Sequence, residues 1–488
     1  MDINTSKRVR TRFAPSPTGY MHIGNLRTAI FTYIIARKYG GDFILRIEDT
    51  DLERYVEGAV DKIYETLRIC GLNWDEGPDV GGEYGPYIQS ERKDIYKKYA
   101  LELVEKGKAY YCFCTKERID ALHAAQREAK LSIQNYDRHC RDLPAEEVKR
   151  LLDEGTPYVI RQKMPTEGTT TFHDVLYGDI SVENELLDDQ ILIKADGMPT
   201  YNFAHVIDDH LMGITHVVRG NEYLSSAPKY NLLYEAFGWE VPEYIHVEHI
   251  MRDAQHKLSK RDGDAYFGDF VEKGFYVPAI INYIALLGWA PKGENEIFTL
   301  DELVQEFDIS GLSKSPAIFD IQKMTAINAE HLRRLSHEEF LAVALPWIRK
   351  GCNTDSIDVD VLADALQPRT ELLSEIPEKV DFLDKVPEYS NDLYINKKMK
   401  TNAETALAAL NMLLPVLEGV AEWSTGAIHT AVFSEIEKQG VKNGYMLWPL
   451  RTALSGKAMT PGGGIELAAI LGKDETIRRI KAAIEKLS

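Results

Sequence analysis

Three groups of residues in this chain have the types and spacing that chemistry requires. The first spans 11–25. An alternating run over 9–13 breaks at Pro15 and Pro17, Gly19 permits a tight approach, and an amphipathic segment starts near Met21. Strand, turn and helix in that order put His22 and Gly24 in the first helical turn, where backbone N–H groups and the helix dipole attract an anion. His22 can donate to a phosphate oxygen, and Gly24 lets a base or ribose pack on the backbone. The second group is KLSKR, from Lys257 to Arg261. Its two lysines flank Ser259 and can neutralise charge growing on a phosphate chain. Alone, such a pentapeptide reads as a solvated turn; its place after the last predicted strand puts it near the ligand edge of a sheet. The third group is Cys112, Cys114 and Cys140, with His139 and Asp142 beside the last. Three cysteines and one neighbour meet the four-ligand demand of tetrahedral zinc, and they equally read as three reduced, partly buried thiols. Cys70 and Cys352 sit in helical contexts as core.

The elements that must position these groups follow from periodicity. Residues 9–14 read as a strand and 21–39 as a helix, with Ile23, Leu26, Ile30 and Ile34 on one face and a stop at Gly40-Gly41. A second strand, 43–47, leads into EDTD at 48–51, and a helix follows over 56–69. This β-α-β-α opening predicts an α/β fold with a doubly wound, Rossmann-like parallel sheet. Ligands of such sheets sit beyond the strand carboxyl ends, where Arg12 to Ser16 and Glu48 fall. The pattern then changes: a charged helix at 92–106, the cysteine segment, a polar helix at 116–131, and strand-like runs at 158–164 and 171–182. This predicts a mixed α/β insertion. Strand character resumes at 190–195, 201–206, 215–219 and 244–250, with a helix over 227–237 entered through Pro228. From Tyr276 onward the spacing is helical; Leu407, Leu410, Leu414 and Leu417 share a face, as do Ile477, Ile480, Ile484 and Leu487. The expected division is therefore 1–85 for the first half of the sheet domain, 86–186 for the insertion, 187–262 for the second half with KLSKR, 263–325 for a helical connection, and 326–488 for an all-helical region.

Composition narrows the class without deciding the partner. A chain of 488 residues exceeds one ordinary domain. Its net charge of −19 discourages adventitious nucleic-acid binding, but a local basic face suffices for a specific one. Five cysteines argue against a disulfide framework and for a reducing cytoplasm. No apolar run is long enough to span a membrane, and 1–12 is too polar and basic for a signal peptide. A cytoplasmic monomer with no membrane partner is expected.

The run APSPTGYMHIGN resembles the HIGH signature of the class I aminoacyl-tRNA synthetases, and its flanks resemble their bacterial glutamyl branch. KLSKR resembles that family's KMSKS loop, with Leu for Met and Arg for the final Ser. EDTD, PTYNFAHVIDDHLMG and the helical tail extend the resemblance over nearly the whole chain. It implies ATP-dependent attachment of L-glutamate to tRNA(Glu) through a glutamyl-adenylate. By that match, ATP is bound by His22, Gly24, Asn25, Lys257, Ser259 and Lys260. Catalysis then rests on positioning and on charge stabilisation by His22, Lys257, Lys260 and Mg2+. Glutamate has two carboxylates and one ammonium. Arg12, Arg219 and Glu48 supply the complementary charges, with Ala14, Ser16 and the Tyr201 hydroxyl on the same lip. Arg12 is preferred for the side-chain carboxylate. Where the family carries Asn, three residues before the ligand-edge acid Asp208, this chain has His205, and that contact stays open. Some relatives bind zinc in the insertion, which here implies Cys112, Cys114, Cys140 and Asp142, with Asp142 where the pattern has another ligand type. The insertion is expected to hold the tRNA acceptor end. Arg369 aligns with an arginine that contacts the last anticodon base, whereas Trp423 and Trp448 read as core. Two alternatives stay beside this reading: an enzyme that also charges tRNA(Gln) with glutamate, and a non-catalytic tRNA-binding relative.

Overall fold

β1 (Arg10–Phe13) and β2 (Asp42–Leu45) lie side by side and parallel, with Arg12 opposite Ile44. Their side chains alternate between two buried faces. Phe43 meets Tyr33 of α1 (Ile23–Lys38) on one face, and Ile44 joins an apolar cluster on the other. That second cluster is built by α3 (Lys93–Glu105), α6 (Tyr201–Leu211) and α7 (Ala227–Phe237), through residues such as Tyr96, Phe203, Ile207 and Leu233. Helices on both faces of a parallel sheet make the doubly wound architecture. The molecule is described here by a computed structural model of residues 3–54, 56–131, 134–258 and 265–488. Ser259 and Lys260, both expected at the phosphates, lie outside the described residues.

Along the chain α2 (Ala59–Ile69) follows β2, and the insertion then contributes β3 (Ala109–Cys112), α4 (Lys116–Glu128), α5 (Ala145–Asp153) and β4 (Val159–Gln162). A hairpin follows, of β5 (Thr169–Asp174) and β6 (Gly178–Glu183), then β7 (Ile191–Ile193), β8 (His216–Gly220) and β9 (Glu243–Val247). The main sheet has the order β2-β1-β8-β9-β5-β6, with only β6 antiparallel; β3, β4 and β7 form a separate antiparallel sheet. Two expectations change here. The β5–β6 hairpin, placed by sequence in the insertion, extends the main sheet from β9, while the run at 190–195 pairs inside the insertion instead. The run 201–206 is no strand but the start of α6, with the extended Thr200 as its N-cap. Its apolar residues fit both periods over six positions, and only the burial of Phe203, Ala204, Ile207 and Asp208 together identifies the helical one.

The chain divides into two compact units, residues 1–269 with 281–320, and 270–280 with 321–488. The second unit is helical. Its helix Ala403–Glu418 buries Ala406, Ala409, Leu410, Leu413 and Leu417, a stripe rotated from the expected one, since Leu407 and Leu414 are half-buried. This stripe packs on the helix Lys473–Leu487, which buries Ile480 and Ala483. Among the described residues no helix is long and apolar enough to cross a membrane.

Candidate active site

The β1 and β2 ladders continue past their strands, through Arg46 N–H to Phe13 O (3.0 Å) and Glu48 N–H to Pro15 O (3.1 Å). These bonds hold two loops side by side at the carboxyl edge of the sheet. There a cavity of about 410 Å³ opens, lined by Arg12, Ala14, Ser16, His22, Gly24, Asn25, Glu48, Tyr201, Arg219 and Lys257. Every described residue expected at the two substrates from sequence is therefore brought to one hollow.

Around Arg12 and Glu48 this hollow is backed by a buried charge network. Arg12 Nε donates to both oxygens of Asp209, at 3.0 and 3.3 Å. Arg46, fully buried, pairs with Glu48 (2.9 Å), Asp209 (2.9 Å) and Asp208 (3.7 Å). Burial opposes the Arg46 charge, but the three carboxylates outweigh it and hold its pKa well above the ordinary value. Burial pushes the Glu48 carboxyl up, against the pull of Arg46 and Arg12. Arg46 Nε and Nη2 and Gln89 Nε2 all bond Glu48 at Oε1. Arg219 differs. Its Nε donates to His246 Nε2 at 3.1 Å, while Nη1 and Nη2 are buried with no hydrogen-bond partner among the described residues. Its guanidinium carbon stands 4.7–5.4 Å from the ring centres of Tyr223, Tyr230 and Tyr244.

One sequence expectation changes in this region. Asp208 is not at the ligand edge; it is a core hub that accepts from Gln89, Arg92 and Tyr96. Its neighbour Asp209 is buried too and does not line the cavity; it meets the site through Arg12. His205 lies buried with its ring 4.3 Å from that of Tyr230 and 5.1 Å from that of Tyr201, and its Nδ1 is 3.7 Å from Asp209. Burial drives its pKa down to about 3, so the ring is neutral. Among the two cations, Arg12 is already engaged by an acid, and Arg219 has the open fork.

At the start of α1, His22 is not within the first helical turn but is the N-cap, and its Nδ1 accepts from Gly24 N–H at 3.0 Å. One of the helix's open N–H groups is thus already satisfied. An acceptor at Nδ1 fixes the neutral ring with its proton on Nε2, which leaves Nε2 as the donor. Lys257 Nζ lies 2.5 Å from His249 Nε2. Residues not foreseen also line the cavity: Arg27, Arg54, Glu222, Tyr223, Glu248 and His249. Arg27 donates to Leu287 O (2.7 Å) and to Glu248 O, and burial pushes it down to about 10. A signal for Arg46 was available, because a charge inside the apolar run ILRIED needs a buried partner. No such signal marks Arg27, which occupies an ordinary helical position.

In the insertion, the sulfur atoms of Cys112, Cys114 and Cys140 lie within 4.8 Å of one another. Asp142 does not join them: its side chain is exposed and pairs with Lys163 at 3.0 Å, and His139 is exposed as well. The polar atom among the thiols is instead the Tyr136 hydroxyl, 3.3 Å from both Cys112 and Cys114 and bonded by Cys140 N–H at 3.0 Å. In the helical unit Arg369 lines a second cavity, of about 540 Å³, with Phe433, Trp448 and Arg451. Trp448 is thus half-buried at a cavity wall rather than core, and Arg451 stacks on it at 4.2 Å.

Comparison with known proteins gives consistent matches. Residues 8–326 match the family "tRNA synthetases class I (E and Q), catalytic domain", and 339–484 match "Anticodon binding domain". The chain is 58% identical over 484 residues to a glutamate–tRNA ligase of Clostridium botulinum, covering 99% of each chain. It is 59% identical over 480 residues to that of Clostridium kluyveri, covering 98% of each. Among solved structures, a glutamate tRNA ligase from Elizabethkingia meningosepticum in complex with its amino acid superposes with a TM-score of 0.89 at 38% identity, over 99% of this chain and 100% of that one. The glutamate-tRNA synthetase of Elizabethkingia anophelis gives 0.85, also at 38% identity, over 98% of this chain and 100% of that one. With two family matches in tandem and relatives aligned end to end, the chain belongs to the class I tRNA synthetases, in their glutamate–tRNA ligase family.

Proposed function

We propose that this chain joins L-glutamate to tRNA(Glu) in two steps at the 410 Å³ cavity. The α-carboxylate of glutamate attacks the α-phosphorus of ATP, giving glutamyl-adenylate and pyrophosphate. A terminal ribose hydroxyl of the tRNA then attacks the acyl carbon and releases AMP. The observation that carries this reading is the Arg219 fork, buried among tyrosines with two η nitrogens open. Such a fork is a receptor for a carboxylate. Arg219 therefore takes the side-chain carboxylate with the Tyr201 hydroxyl, while Arg12, steadied by Asp209, lies along the reacting end. Glu48 receives the ammonium at Oε2, and Ala14 and Ser16 line the lip. Neutral glutamine is excluded because it would leave the buried Arg219 charge unanswered, so no editing step is needed.

ATP lies against Gly24 and Asn25, with His22 Nε2, Lys257 and, from outside the described residues, Ser259 and Lys260 directed at its phosphates. Mg2+ enters with the triphosphate. Residues 86–168 together with β7 hold the acceptor end, and the helical unit reads the anticodon, with Arg369 at a base or phosphate. The donor set of three thiols and the Tyr136 hydroxyl fits Zn2+, whose part is to cross-link the insertion. All five cysteines are unpaired, which supports a cytoplasmic protein. Glutamate-dependent ATP–pyrophosphate exchange, run with and without tRNA, tests the function: no exchange in either case overturns it. Charging of purified tRNA(Glu) and tRNA(Gln) in separate assays measures tRNA scope.

A further inference from the structure

The parallel strands β8, β9 and β5 carry Arg219, His246 and Asp174 to the same edge of the sheet. Arg219 and His246 are register partners, and Asp174 pairs with Tyr244, two residues before His246. The three side chains form one line. Arg219 Nε donates to His246 Nε2 at 3.1 Å, and His246 Nδ1 lies 2.7 Å from Asp174 Oδ2. Asp174 and His246 are completely buried, and Arg219 is nearly so. Neither Asp174 nor His246 lines the cavity.

Only one protonation pattern satisfies this line. An arginine Nε can only donate, so His246 Nε2 must be an acceptor. Asp174 meets N–H groups on every side: Leu176 (2.8 Å) and Tyr177 (3.0 Å) at Oδ1, and the His246 backbone (3.1 Å) at Oδ2. Its oxygens act as acceptors, so His246 Nδ1 must carry the proton. The ring is then neutral and locked in a single tautomer, and it grips the guanidinium by its Nε edge. The opposite edge, Nη1 and Nη2, is left facing the cavity without a partner among the described residues.

We propose that Asp174 and His246 are positioning residues for glutamate selection: they fix the ring tautomer that aims the Arg219 fork at the side-chain carboxylate. The proposal rests on the assignment of the cavity to glutamate made above. Asp174 comes from the β5–β6 hairpin, so a segment that sequence assigns to the insertion reaches into the amino-acid subsite through two neighbours.

Asp174→Asn is the direct test. The amide can still accept from Leu176 and Tyr177 at Oδ1, but at the Oδ2 position it offers NH₂ to His246 Nδ1 and gives up the bond from the His246 backbone N–H. The ring must then move its proton to Nε2, where it faces Arg219 Nε–H donor against donor. We expect the glutamate KM in tRNA-dependent exchange to rise about tenfold to a hundredfold, with the ATP KM unchanged and kcat within about threefold. His246→Leu should act alike. His246→Gln, whose amide oxygen reaches the Nε2 position, should recover most of the lost affinity. Nitrogen-15 shifts of the full-length, histidine-labelled protein should show Nδ1 protonated in the parent and Nε2 protonated in Asp174→Asn. An unchanged glutamate KM in Asp174→Asn and His246→Leu overturns the proposal. So does a joint rise of both KM values that His246→Gln does not reverse, or a parent ring protonated at Nε2. If the variants fail to fold, the nitrogen shifts of the parent decide. A parent with no glutamate-dependent exchange would instead sink the assignment of the cavity, whatever the tautomer.

Discussion

Arg46 and Arg219 are both buried cations within one sheet edge, yet they carry opposite consequences. Arg46 balances three carboxylates, so Arg46→Met would strand them. Removing one member of such a cluster costs about 3–5 kcal/mol, which urea unfolding would read directly. Arg219 has two η nitrogens without a partner among the described residues. Arg219→Met should lower kcat/KM for glutamate by about a hundredfold or more, because a buried charge pair is worth about 2–5 kcal/mol at such sites. The same variant should lower the melting temperature of the ligand-free protein less than Arg46→Met does, since it removes one bond, to His246 Nε2, and strands no carboxylate. A loss of stability as large as that of Arg46→Met would show that Arg219 is structural. His205 adds an acid sensitivity. Its folded pKa of about 3 lies below its ordinary value of 6.5, so as pH falls below 6.5 the unfolded chain takes up the proton first. Stability should then decline by up to about 1.4 kcal/mol per pH unit between about pH 6 and pH 3. His205→Leu should flatten that slope in urea titrations at pH 7, 5.5 and 4.5.

At the scale of elements, the start of α1 combines a structural and a chemical task in one side chain. His22 caps the helix through Nδ1 and also lines the cavity, where the proposed function sets it against the nucleotide. His22→Asn can still cap, so we expect a melting temperature close to the parent's with kcat for exchange reduced about a hundredfold. His22→Ala should lose the same activity and a further ~1 kcal/mol of stability. Equal stability of the two variants would mean that the cap is energetically idle. The spacing of β1 and β2 depends on Gly41. A Cβ there would stand 2.0 Å from Val9 O, and backbone cannot step aside. Gly41→Ala should therefore cost about 1–3 kcal/mol by forcing the strands that carry Arg12 and Glu48 apart.

At the scale of the molecule, the two units have separate cores, and their substitutions should separate functionally. Arg369→Ala in the helical unit should raise the tRNA KM in charging and reduce the salt slope of tRNA binding by about one, while the glutamate KM stays unchanged. A shift in both would assign Arg369 to folding. The thiol cluster is tested on the whole protein: chain purified without chelator should carry one zinc, Cys114→Ser should lose it, and Tyr136→Phe should bind it more weakly, as read by metal analysis.

What the sequence determined by itself was local and dense in signal. Periodicity and Gly-Pro punctuation located α1, β2, α7 and the helical tail, because these depend on residues within a few positions of one another. Arg12, Glu48, Tyr201 and Arg219 were singled out through the resemblance to the family's motifs, and the structure brings all four to the lining of one cavity. Only tertiary structure could decide what depends on distant segments. It made 201–211 a helix, since six residues fit two periods until burial chooses between them. It moved β5 and β6 into the main sheet, because strand pairing is settled by neighbours 70 residues away. It exchanged Asp142 for Tyr136 among the thiols, and it drew both Asp208 and Asp209 into the buried charge network, Asp209 against Arg12 and Asp208 against Arg92, because spacing alone does not say which side chain turns inward. Above all it separated two arginines that the sequence presents as equals: Arg12 meets an acid inside the fold, and Arg219 is held from behind by a histidine with its η nitrogens unpartnered among the described residues.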